Sequence, residues 1–165
     1  MAKSDSFFIR ASTDFNGTTF AQSSIDLGAY VDALGKTVLR IHNIAVQYGD
    51  PTDVFSAPAG QHRAVFQLTT QSQSSAVNTL DKSVISTGAL FYTDDPQGNA
   101  FVSDSLDVAP QHWTNGYLIG VEQIYLGVDC SEATCAGMTS VNVIMECTVE
   151  TLSQSAAMAL ALSQQ

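Results

Sequence analysis

Residues 139–150 read TSVNVIMECTVE. Thr139, Val141, Val143, Met145, Cys147 and Val149 alternate with Ser140, Asn142, Ile144, Glu146, Thr148 and Glu150 through the whole stretch. Only an extended strand sends successive side chains to opposite faces, so one face of this segment is buried and the other meets water or a partner. The pattern predicts a strand over 138–152. Seven further segments, near 5–11, 18–27, 36–48, 63–71, 83–92, 100–108 and 116–128, are also rich in β-branched, aromatic or alternating residues and end in Gly, Pro, Asp or Asn clusters. The run 116–128 differs from the others. Leu118, Ile124, Leu126 and Val128 fall on one parity and Tyr117, Ile119, Val121 and Tyr125 on the other, which predicts a strand apolar on both faces.

Turn residues separate these segments: Phe15-Asn16-Gly17, Tyr48-Gly49-Asp50-Pro51, Asp94 to Asn99, and Thr114-Asn115-Gly116. The connections near 49–62 and 72–82 are longer than hairpin turns. Eight strands joined by short and long connections predict an all-β fold, an eight-stranded antiparallel β-sandwich of jelly-roll-like, Greek-key type. After Thr151 the sequence changes character. Ala156 to Leu162 are helix formers without a β-branched residue, which predicts a short C-terminal α-helix. At about a dozen residues such a helix must dock to stay folded, on its own domain or on a neighbouring copy. The expected organisation is a sandwich domain over 1–150 with a helical tail over 151–165.

The 165 residues carry 16 acids against 6 Lys plus Arg, a formal charge of −10, and only 13% are charged. Ser, Thr, Gln and Asn therefore supply most of the polar surface. Such groups cost less to desolvate than charges, and suit a protein covered by neighbours. Every Lys and Arg lies at or before Lys82, so residues 83–165 have no means of gripping phosphate. Direct nucleic-acid binding is not expected. No apolar run approaches the ~18 residues of a membrane span, and Met1 to Ser6 lack the apolar core of a signal peptide, so synthesis is expected in the cytoplasm.

Candidate chemistry is sparse. His42, His62 and His112 share no metal-binding spacing, and neither a G-x-S-x-G elbow nor a phosphate loop occurs. No enzyme and no cofactor are expected. Cys130 and Cys135 bracket a loop and are read as either a disulfide or two free thiols, whereas Cys147 sits on the buried parity of its strand. Asp94 and Asp95 are a weak Ca²⁺ candidate without EF-hand order, and ordinary turn chemistry explains them better. Trp113 is a candidate sugar platform or interface anchor, with partial burial under the sandwich rim the blander reading.

Eight strands with long loops, a signal-free N-terminus, a charge-poor polar surface and a docking tail together resemble single-jelly-roll viral capsid proteins. Among these, the chain is most similar to small capsid proteins of icosahedral viruses that enclose a membrane, whose jelly rolls need no basic arm. The resemblance implies a self-assembling subunit of a virion or other particle, partnered by copies of itself and by other shell proteins. Apolar residues without a place in one core are the expected contacts: Phe7 and Phe8, then Tyr117, Ile119, Val121 and Tyr125, then Met158, Leu160 and Leu162. An extracellular adhesion, filament or carbohydrate-binding sandwich using Trp113 is the rival class.

Overall fold

The computed structural model describes residues 3–15, 19–32, 34, 36–53, 60–94, 100–130 and 138–165. Among them are nine strands: β1 (Phe7–Asp14), β2 (Ala21–Asp26), β3 (Thr37–Tyr48), β4 (Gly60–Thr69), β5 (Val84–Asp94), β6 (Ala100–Val108), β7 (Tyr117–Ile119), β8 (Gln123–Cys130) and β9 (Ser140–Thr151). A single 3-10 turn occupies Pro110–His112, and helix α1 spans Gln154–Ser163.

The strands form two antiparallel sheets, which we call A (β1-β9-β3-β7) and B (β2-β8-β4-β5-β6). The pairing is nested: β1 with β9, β2 with β8, β3 with β7 and β4 with β5, as if one long hairpin had been rolled up. With β6 set aside as an addition beside β5, this is the jelly-roll order. Leu39, Ile41, Ile119 and Met145 of sheet A face Phe66, Leu68, Ile124 and Leu126 of sheet B, all fully buried. Each contributes roughly 1.5–3 kcal/mol through burial. The alternation in β9 has the expected result: Val141, Val143, Met145 and Cys147 are buried, while Ile144 is exposed.

The run 116–128 is not one strand. It breaks at Gly120-Val121-Glu122, with β7 in sheet A and β8 in sheet B. Apolar residues occupy both parities because the chain changes sheet and frame midway, so Ile119 and Ile124 both reach the same core from opposite sides. Gly120, at the break, leaves room for the C-terminal helix. A Cβ there would lie 3.0 Å from Leu160 Cγ and 3.1 Å from the Ala161 nitrogen.

That closeness reflects how α1 docks. Ser153 caps the helix by accepting from the Ala156 N–H at 3.3 Å, and the small residues Ala157 and Ala161 bury against the sandwich. Beyond the helix, the Gln164 amide donates to the Leu118 carbonyl (2.7 Å) and accepts from the Gly120 N–H (2.8 Å). Two other glutamines do the same. Gln67 clamps the N–H and C=O of Val77 at 2.9 and 2.7 Å, and Gln111 clamps those of Ile44 at 3.1 and 3.0 Å. A primary amide presents one donor and one acceptor side by side, so Gln111 and Gln164 stand in for a strand beside β3 and β7, while Gln67 ties down the segment at Val77.

Candidate assembly surfaces

The two sheets cover their outer faces by different means. On sheet B, alternate residues that point away from the core are nevertheless buried: Gln67, Thr69, Thr87 and Ala89. The segment between β4 and β5 covers part of them, held by Gln67 on Val77, by Thr70 N–H on the Ser83 carbonyl (2.8 Å), and by Gln73 on Ser83 (3.0 Å). Beyond them Phe91 is 42% exposed with Arg63 over its ring, and on sheet A the outward Val38, Thr148 and Glu150 are buried in their turn. Phe8 on β1 is 58% exposed and Ile144 on β9 is 39% exposed, both on the outward parity.

Register places these residues in rows. Phe8 stands opposite Glu146, which stands opposite Asn43; Arg10 stands opposite Ile144, which stands opposite Ala45. Glu146 accepts from the Asn43 amide at 2.5 Å, and the Arg10 guanidinium carbon lies 6.0 Å from the Phe8 ring centroid. Further along the same face, Glu150 receives two bonds from Arg40, Nε to Oε1 at 2.7 Å and Nη2 to Oε2 at 2.8 Å. Arg40 also donates to the Asn115 carbonyl, and Lys3 approaches Glu150 at 3.9 Å. The Arg40 hydrogen bonds hold the Glu150 carboxyl below the usual glutamate value and raise Arg40. His42 bonds Thr148 at 2.9 Å, and desolvation lowers its pKa.

Helix α1 offers the second bare surface. Its inward side is spent on Ala157 and Ala161, which leaves Met158 and Leu162, one turn apart, exposed at 44% and 68%. Leu160 is half-buried against Gly120. No charged residue occurs from Thr151 to Gln165.

The other sequence-predicted contacts divide. Ile119 is wholly inside the sandwich, which corrects its assignment to an outer face. Phe7 is half-buried and stacks on Tyr30 at 4.9 Å between centroids. Tyr117, Val121 and Tyr125 are half-buried, the last two lining an open cleft of about 570 Å³ beside the end of α1. Ile144 and Arg10 were missed. Their signal in the sequence is an isoleucine on the polar parity of the last strand.

Among the remaining candidates, Cys130 is disulfide-bonded, while Cys135 lies outside the described residues. Cys147 is free and buried, and its thiol is pushed up to about 12 by burial. Asp94 ends β5, and Asp95 lies outside the described residues. Among the described residues no group of three or more His, Cys, Asp or Glu is placed to hold a metal ion. No helix is long and apolar enough to cross a membrane. Trp113, just after the 3-10 turn, is 55% exposed and so less covered than partial burial under the rim implies.

No protein-family model matches the chain, and no curated protein matches it. Among solved structures it is similar to polyomavirus VP1 pentamers. The KI polyomavirus protein is 8% identical at a TM-score of 0.45, covering 89% of this chain and 94% of that one. The human polyomavirus 6 protein is 9% identical at 0.41, covering 89% and 95%. The Washington University polyomavirus protein is 6% identical at 0.41, covering 88% and 93%. Likeness this distant transfers no role, and the jelly-roll description rests on the strand order itself.

Proposed function

We propose that the chain is a structural subunit that assembles with copies of itself, as the repeating unit of a viral capsid or related shell. The observation that carries this reading is the distribution of uncovered apolar side chains. Phe8 and Ile144 stand on a regular strand face, and Met158 and Leu162 stand on a charge-free helix. Contiguous apolar patches on rigid elements mark contact surfaces. The contact residues proposed are therefore Phe7 and Phe8, the half-buried Tyr117, Val121 and Tyr125, and the tail residues Met158, Leu160 and Leu162. The absence of Lys and Arg after Lys82 supports partners that are proteins and not nucleic acid.

Electron microscopy of the purified full chain, with sedimentation over a concentration series, tests the proposal. Particles or discrete oligomers are expected, and Met158→Ser with Leu162→Ser should weaken them at least tenfold. A monomer at every concentration up to several hundred micromolar would overturn it.

Trp113 supports a second reading, a carbohydrate-binding or adhesion module, because an exposed indole on a surface turn offers a flat face to a sugar ring. Glycan-array binding that Trp113→Ala abolishes would favour that reading.

A further inference from the structure

The outer face of sheet A has an arrangement that a two-fold axis would satisfy. Phe8, Glu146, Arg10 and Ile144 occupy the corners of one tile on β1 and β9, with Phe8 opposite Glu146 and Arg10 opposite Ile144. Apolar corners lie on one diagonal and charged corners of opposite sign on the other. Rows on a strand are about 7 Å apart and strands about 4.8 Å apart, so all four side chains fall within one contact patch. Arg10 is exposed and forms no ion pair among the described residues.

Resting on the assembly reading above, we infer that this tile is an isologous contact, in which a second copy of the chain packs its own Phe8-Arg10-Ile144-Glu146 tile face to face against the first. Rotation about the Phe8–Ile144 diagonal sets Arg10 over the partner copy's Glu146, and Glu146 over its Arg10. Phe8 and Ile144 meet their own counterparts. No other in-plane two-fold axis through the tile pairs both charges: the opposite diagonal sets Arg10 on Arg10, and axes along or across the strands set charge on apolar side chains. The strands of the two copies then cross nearer to perpendicular than to parallel, the orthogonal class of sheet packing.

Charge explains why this face serves. A chain of net charge −10 repels its copies in general, yet the tile is neutral and complementary to itself. Ala45 and Asn43 extend it across β3 without adding charge. Three strands of this length offer roughly 400–500 Å² per copy, the low end for a specific contact, so a weak dimer is expected.

Charge reversal tests the geometry. Arg10→Glu alone sets two carboxylate pairs against each other, and Glu146→Arg alone sets two guanidinium pairs; each should weaken dimerisation at least tenfold in sedimentation velocity. An equimolar mixture should regain wild-type association, because an isologous contact between the two variants restores both attractive pairs. The double variant R10E/E146R should also associate. Circular dichroism reports whether each chain remains folded, and Phe8→Ser, with no charge changed, should weaken the contact as well. Single variants that associate like the wild type, or a mixture that does not recover, would overturn the inference. Particles formed equally by wild type and R10E would overturn this contact while leaving shell assembly standing, and a wild type that never associates would overturn both.

Discussion

Sheets A and B are built from the same kind of strand and enclose the same core, but they finish their outer faces differently. Sheet B buries outward residues such as Thr87 and Ala89, partly beneath the chain between β4 and β5, and sets Arg63 over the exposed Phe91. Sheet A finishes its face with side-chain charge pairs at one end and leaves Phe8 and Ile144 bare in the middle. Covering a sheet with one's own chain secures stability but forecloses contact. A face left open costs little while it is small, and keeps a surface that another molecule can cover.

The largest expected effect comes from breaking the finish of sheet A. Arg40→Ala would strand the buried Glu150 carboxylate and should destabilise the protein by about 3 kcal/mol in urea unfolding. The pH dependence has a definite sign. Because the folded Glu150 value is lowered from 4.5, its contribution is fully present above that pH and is lost as pH falls through the lower folded value. Glu150→Gln should flatten that acid limb.

Sheet B can be broken through its cover. Gln67→Ala removes both bonds to Val77 and should cost about 2 kcal/mol, with faster amide exchange over residues 70–83. Removing Gln164 and Gln165 should cost about 1–2 kcal/mol and lower the helical signal, because α1 loses the amide clamp on Leu118 and Gly120. The smallest effect on stability sharpens the comparison most. Phe8→Ser should change stability by less than about 0.5 kcal/mol while weakening self-association, which separates a surface kept for contact from one kept for folding.

Much of the sandwich was legible because strand alternation is a local property, and β9 writes it without interruption from Val141 to Cys147. The crossing at Gly120 was not. A strand apolar on both faces and a chain changing sheets leave the same residue pattern. The glutamine clamps were equally hidden, since the Gln164 amide finds Gly120 and Leu118 at separations of 44 and 46 residues. Composition did hint at them, because a surface poor in charge and rich in amides supplies groups able to imitate a backbone. Of the contact surfaces, Phe8, Met158 and Leu162 could be read from the sequence as apolar residues without a place in the core. Ile119 could not, because its burial depends on which sheet β7 joins.

The nested pairing sets the order of events during synthesis. β1 emerges first from the ribosome, yet its partner in the ladder is β9, with Phe7 opposite Cys147, 140 residues later. At translation speeds of about 5–20 residues per second, β1 waits roughly 7–28 s for β9, its hydrogen-bonding groups unsatisfied by that ladder. Closure over such separations is slow compared with local helix or hairpin formation. Sheet A can therefore close only after β9 has been made, and the nascent chain must remain soluble through that interval by means other than its finished fold.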